Sequence, residues 1–131
     1  MGKTVRILHL EDNPYDAELI RERLQVETLI FEIILVMDKA GFESALKQAS
    51  FDLILSDYCL PGYDGLSALA RVRQINQHIP FVLVSGALGT EHALQALKLG
   101  ATDCVSKDNL GDLVPAIRRV LAQTNQQDPC T

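Results

Sequence analysis

Short runs of aliphatic and β-branched residues alternate with helix-period segments along the whole chain, and this alternation limits the fold more than any other feature. The strand candidates are Val5 to Leu10, Phe31 to Met37, Asp52 to Ser56, Phe81 to Ser85 and Ala101 to Ser106. Between them, apolar residues recur at helical spacing: Ala17, Ile20 and Leu24, then Phe42, Ala45, Leu46 and Ala49, then Leu66, Leu69 and Ala70. A fourth helix is expected from about Thr90 to Leu99, and a fifth from about Leu110 to Ala122 with Leu113, Ile117, Val120 and Leu121 inward. Asn13-Pro14 has the form of an N-cap followed by proline at the first helical position, and Gly100 that of a helix C-cap. Strands that are apolar along most of their length suit a parallel sheet covered on both faces. The expected fold is α/β: a single doubly wound domain with a five-stranded parallel sheet, strand order 2-1-3-4-5, and helices on both faces.

At 131 residues the chain has the size of one domain, expected over residues 4–122, with the polar, aperiodic residues 123–131 as a tail or the start of a linker. An apolar share of 47% supplies a real core. The net charge of −5, with Lys and Arg scattered singly or in pairs, provides no basic stripe to neutralise phosphates along a duplex, so no nucleic-acid partner is expected for this domain. No apolar stretch approaches the ~20 residues that span a bilayer, and the expectation is a cytoplasmic domain without a membrane partner. Cys59, Cys104 and Cys130 are an odd set at unrelated spacings and point to reduced thiols.

Two of the strand candidates end in acids. Asp57 closes the run from Phe51, and Glu11-Asp12 closes the run from Val5. Taken alone, a strand-terminal Asp is more often a turn residue or helix cap than a reactive group. In an open α/β sheet, however, ligands bind beyond the carboxyl ends of the strands where the strand order reverses. With order 2-1-3-4-5 that point lies between strands 1 and 3, which carry these three carboxylates. Clustered carboxylates repel one another unless they hold a cation or a proton. Mg²⁺ takes oxygen ligands and commonly binds through one or two carboxylates plus water, which Asp12 and Asp57 can supply, with Glu11 acting directly or through water. Ser85 ends strand 4 and Lys107 follows strand 5, so a hydroxyl and an ammonium join the same edge. The set complements a phosphoryl group, whose transfer is assisted mainly by positioning and charge stabilisation, with Asp57 as the nucleophile. His9, His78 and His92 form no pair at metal-ligand spacing.

The segments Ile7-Leu8-His9-Leu10-Glu11-Asp12-Asn13, Ser56-Asp57-Tyr58-Cys59-Leu60-Pro61-Gly62-Tyr63-Asp64-Gly65, Val84-Ser85-Gly86-Ala87 and Gly100-Ala101-Thr102-Asp103-Cys104-Val105-Ser106-Lys107 together resemble the receiver domain of two-component response regulators, over about residues 4 to 122. The resemblance implies a flavodoxin-like fold and phosphorelay signalling. It further implies Asp57 as phosphoacceptor, with a histidine kinase or histidine phosphotransfer protein as donor. Glu11, Asp12, Asp57 and the backbone carbonyl of Cys59 would hold Mg²⁺, and Ser85 and Lys107 would stabilise the phosphoryl group. An output partner would dock on helix 4, strand 5 and helix 5, with Gln95 and Lys98 outward. Such a domain is a phosphoacceptor switch rather than an enzyme.

Two positions depart from the family pattern. Asp108 follows Lys107 where proline is common, and Cys104 occupies the switch position where an aromatic ring is common. They motivate an alternative, a phosphorylation-independent interaction module with the same fold. A receiver fragment of a larger hybrid histidine kinase is another. A small Mg²⁺-dependent phosphatase is disfavoured, because no second acid follows Asp57 by two residues and no cap domain encloses a substrate.

Overall fold

A computed structural model describes residues 4–25, 30–60, 62–86 and 90–126. The elements follow in the order β1 (Thr4–Leu10), α1 (Pro14–Gln25), β2 (Ile30–Val36), α2 (Lys39–Gln48), β3 (Leu53–Asp57), α3 (Gly65–Ile75), β4 (Phe81–Ser85), α4 (Thr90–Lys98), β5 (Asp103–Ser106) and α5 (Leu113–Gln126). All pairings in the main sheet are parallel and its order is β2-β1-β3-β4-β5, as expected from the sequence. A short antiparallel ribbon, Cys59–Leu60 against Tyr63–Asp64, sits between β3 and α3 and was not expected.

Successive side chains of a strand point to opposite faces, and the core divides on that rule. Val5, Ile7, Leu53, Leu55, Val82 and Val84 face α1 and α5, where Ile20, Leu24, Leu113, Ile117 and Val120 meet them. Leu8, Leu10, Ile54, Phe81 and Leu83 face the other way, toward Phe42 of α2, Ala68, Leu69 and Val72 of α3, and Ala96 of α4. Ala70, expected on the inner stripe of α3, is exposed. The buried set is Gly65, Ala68, Leu69 and Val72, the i, i+3, i+4, i+7 face, and residue 70 lies a further 100° round the helix.

The helix boundaries use the expected chemistry. The Asn13 side-chain oxygen accepts from the backbone N–H of Tyr15 (2.9 Å) and of Asp16 (3.3 Å), capping α1 ahead of Pro14. Gly100, at φ 113°, lets the chain leave α4: its N–H reaches the Leu97 carbonyl (3.1 Å) and that of Ala101 reaches the Ala96 carbonyl (3.0 Å), the paired bonds of a Schellman ending. The Arg73 guanidinium closes this corner by donating to the carbonyls of Gly100, Asn76 and Ile79.

Strand 5 begins at Asp103 rather than Ala101, and a 3-10 segment over Lys107–Asp112 precedes α5. Helix α5 continues through Gln126, past the expected end near Ala122, because backbone i to i−4 bonding does not require an apolar face. Cys130 and residues 127–131 lie outside the described residues. Among the described residues, no helix is long and apolar enough to cross a membrane.

Candidate functional site

The parallel register brings the ends of β1 and β3 together, pairing Leu10 with Ser56 so that Glu11-Asp12 and Asp57 emerge side by side. Glu11 and Asp57 are buried and Asp12 is half-buried; one carboxylate oxygen from each lies within 4.8 Å of the others. Glu11 is fixed from below: its Oε2 accepts the Asn13 N–H at 3.1 Å, and its own N–H donates to the Val36 carbonyl at 3.0 Å.

Lys107, the first residue after β5, reaches into this cluster. Its Nζ lies 2.7 Å from Asp16 Oδ2, 2.8 Å from Glu11 Oε1 and 3.1 Å from Asp57 Oδ2. The contact with Glu11 Oε1 is close but poorly directed, an ion pair rather than a hydrogen bond, and this buried oxygen has no hydrogen-bond partner. Burial pushes the Glu11 carboxyl up to about 7, with Lys107 opposing and the Asp57 charge adding to the rise. Burial alone would lower the Lys107 ammonium, but its hydrogen bond to Asp16 and its close contact with the Glu11 carboxylate outweigh that and hold it above the usual lysine range.

The donor set fits a hard divalent cation. Oxygens around one Mg²⁺ at ~2.1 Å stand about 3 to 4 Å apart, close to the spread of these carboxylates, and Glu11 Oε1 is an under-satisfied buried acceptor. Cys59 lies two residues past Asp57 with its backbone paired to Asp64. Ser85 is buried at the end of β4, one residue past the Asp57–Val84 pair.

The two departures from the family pattern have local structural roles. Asp108, where proline is common, uses the N–H that proline lacks: it donates to the Ser106 hydroxyl at 3.1 Å and starts the 3-10 turn. Cys104 is half-buried with Sγ 4.0 Å from the Ala93 carbonyl of α4, and burial pushes its thiol up to about 11. The aromatic contact to α4 comes instead from Tyr58, next to Asp57, whose ring stacks on His92 with centroids 5.4 Å apart. His9, buried beneath the cluster, is pushed down to about 4, chiefly by burial and then by Lys107, so it is neutral at pH 7.

Sequence reasoning brought Glu11, Asp12, Asp57 and Lys107 to one place, and the structure does the same. It missed Asp16. The available signal was an acid in the first turn of α1, four residues after Asp12 and beside a helix N-terminus that favours negative charge. Gly65 was also missed. It starts α3 so close to β3 that a Cβ there would stand 2.6 Å from the Asp57 carbonyl oxygen and 2.5 Å from Leu83 Cδ2.

The doubly wound sheet carries its acidic cluster and lysine at the switch point, where open α/β sheets bind ligands. The family model of the response regulator receiver domain matches residues 7–118, and the chain belongs to that family. It is 32% identical to the transcriptional regulatory protein RprY of Bacteroides fragilis (strain YCH46), over 97% of this chain and 55% of that protein. The chain spans about half the length of curated relatives such as this one. Among solved structures it is similar to a LuxR-family two-component response regulator from Aurantimonas sp. SI85-9A1 (27% identity, TM-score 0.80), covering 92% of this chain and 87% of that one. It also resembles the Mn²⁺-bound form of the response regulator Rcp1 (26% identity, TM-score 0.70, 90% of each chain).

Proposed function

We propose that Asp57 is the phosphoacceptor of this receiver domain and takes its phosphoryl group from a histidine kinase or histidine phosphotransfer protein. The observation that carries the reading is the placing of a buried Asp57 carboxylate 3.1 Å from the Lys107 ammonium and within one cluster with Glu11 and Asp12. An Asp57 carboxylate oxygen attacks phosphorus as the donor's phosphorus–nitrogen bond breaks. The electron pair stays with the imidazole, which gains a proton, and an aspartyl phosphate remains.

Glu11, Asp12, Asp57 and the Cys59 carbonyl are the residues we assign to Mg²⁺, which when bound neutralises charge on the phosphoryl oxygens. The Mn²⁺-bound Rcp1 structure supports a divalent cation in this fold. Lys107 offers a further positive contact and the Ser85 hydroxyl a hydrogen bond. Residues 4–122 form the receiver unit, cytoplasmic and not itself an enzyme. The face of α4, β5 and α5 serves the output partner. Gln95 and Lys98 are exposed there, beside Leu94 and Leu97.

Incubation with acetyl phosphate and Mg²⁺, followed by intact mass spectrometry, tests the assignment. The expected result is an adduct of ~80 Da, the mass of one phosphoryl group, that is absent with chelator and absent in Asp57→Asn. Equal labelling of Asp57→Asn would sink it. Cys104 at the switch position favours a second reading, an interaction module whose partner binding ignores phosphorylation. Unchanged backbone NMR signals in β4 and β5 on adding a phosphate mimic with Mg²⁺ would select it.

A further inference from the structure

Lys107 has three ammonium protons and three carboxylate neighbours. Two of those neighbours have other duties under the phosphoacceptor reading, on which this inference rests. The Asp57 oxygens become part of the acyl phosphate, and Glu11 belongs to the group suited to hold the metal. Asp16 is outside that group, and its contact with Nζ, 2.7 Å, is the shortest of the three.

The two partners also differ in how firmly they are held. Asp16 stands in the first turn of α1, where its N–H is capped by Asn13 and the helix is anchored by Ala17, Ile20 and Leu24. Lys107 reaches inward on a flexible four-carbon stem from the first residue of a 3-10 turn. Without an anchor, an ammonium drawn off Glu11 has open solvent within reach, since Asp16 is itself partly exposed at the rim of the cluster.

We propose that Asp16 is a positioning residue for phosphoryl transfer: it tethers the Lys107 ammonium beside Asp57 when Glu11 and Asp57 turn to metal and phosphoryl group. A bare surface ion pair would contribute to stability alone. A tether makes Asp16 matter to the reaction through Lys107 and through nothing else.

The test has two arms on the whole chain. In the first, the Lys107 side-chain ammonium is followed by ¹⁵N NMR at saturating Mg²⁺ without any phosphodonor. A slowly exchanging Lys107 signal is expected in the wild type and in Asp16→Glu, and its loss in Asp16→Asn. In the second, the rate of acetyl phosphate labelling is read at saturating Mg²⁺. Asp16→Asn should slow labelling about three- to fivefold, a range of the size expected for losing one partly exposed ion pair. Asp16→Glu should recover most of the rate, and Asp16→Asn should change it less than about twofold in a Lys107→Gln background, as coupling through the lysine requires.

A Lys107 signal that survives Asp16→Asn overturns the tether, as does an unchanged labelling rate or an equal loss in the Lys107→Gln background. If the wild type takes no phosphoryl group while its Lys107 signal still depends on Asp16, the tether stands and the phosphoacceptor reading fails instead.

Discussion

Replacing Gly65 with alanine tests whether α3 is seated against the phosphoacceptor strand as closely as the backbone requires. In a helix interior the exchange would stabilise by up to about 1 kcal/mol through propensity, somewhat less at this first helical position. Against that stand three contacts of the new methyl group: 2.5 Å to Leu83 Cδ2, 2.6 Å to the Asp57 carbonyl oxygen and 3.0 Å to Tyr58 Cα. Two of these atoms are backbone, and Leu83 is fully buried, so its methyl has nowhere to retreat. Overpacking of this kind costs ~1–3 kcal/mol, and relief by sliding α3 outward would break the Gly65 N–H bond to the Tyr58 carbonyl, 2.8 Å long. With roughly 0.5 kcal/mol of propensity subtracted, the expected net loss is about 0.5–2.5 kcal/mol, which for a domain of this size lowers the melting temperature by roughly 2–10 °C. Acetyl phosphate labelling should slow as well, because the displaced backbone carries Asp57. Gly111→Ala is the control, since its added carbon would meet only Asn109 Oδ1 at 3.9 Å. Urea unfolding decides the matter: Gly65→Ala as stable as the wild type, with labelling unchanged, would refute the close approach of α3 to β3.

Arg73 donates to three backbone carbonyls at the corner joining α3, α4 and β5, so Arg73→Ala should cost about 2–3 kcal/mol by leaving them without a charged donor. Arg73→Lys should recover less than half of that, because a lysine has no planar fork, and urea midpoints for the two variants check both statements. Cys104 should alkylate slowly. Burial raises its thiol from 9.0 to about 11, lowering the thiolate fraction at pH 8 about 100-fold, and the greater nucleophilicity of a more basic thiolate returns about tenfold of that. Peptide-resolved mass spectrometry with iodoacetamide should therefore show Cys104 about tenfold slower in the native than in the urea-unfolded protein, with equal rates overturning the assignment. The folded form also keeps its thiol proton between pH 9 and 11 when the unfolded form has lost it, so stability falls as pH rises through that window.

Much of the fold was legible because the sheet imposes two constraints on the sequence at once. Strands covered on both faces are apolar along most of their length, which sets Val5 to Leu10, Asp52 to Ser56 and Phe81 to Ser85 apart from the periodic helices between them. Once the strands and their order are placed, Glu11, Asp12, Asp57 and Lys107 have to converge, because all four sit at carboxyl ends on the same edge. Ala70 is the exception. Period alone gives a helical stripe but not its orientation, and small residues such as Ala68 and Ala70 are equally acceptable inside or outside until the neighbouring strand is present.

Asp16 and Gly65 were missed for a different reason: each acts through a contact across the chain, not through a local pattern. Asp16 adjoins the buried Ala17, so on a helical wheel it belongs to the edge of an apolar stripe and reads as a solvated acid. Its partner lies 91 residues away, and the pairing exists only because the 3-10 turn after β5 places Lys107 above the start of α1. Gly65 carries no side chain to follow at all, and its constraint is the absence of one beside the Asp57 carbonyl. Both contacts converge on the same residue, Gly65 by fixing the backbone beneath Asp57 and Asp16 by holding the cation beside its carboxylate. Substitutions at the two positions should therefore separate cleanly: Gly65→Ala acts through the position of Asp57 and lowers stability with labelling, whereas Asp16→Asn acts through Lys107 and lowers labelling with little change in stability, since a partly exposed ion pair contributes about 1 kcal/mol.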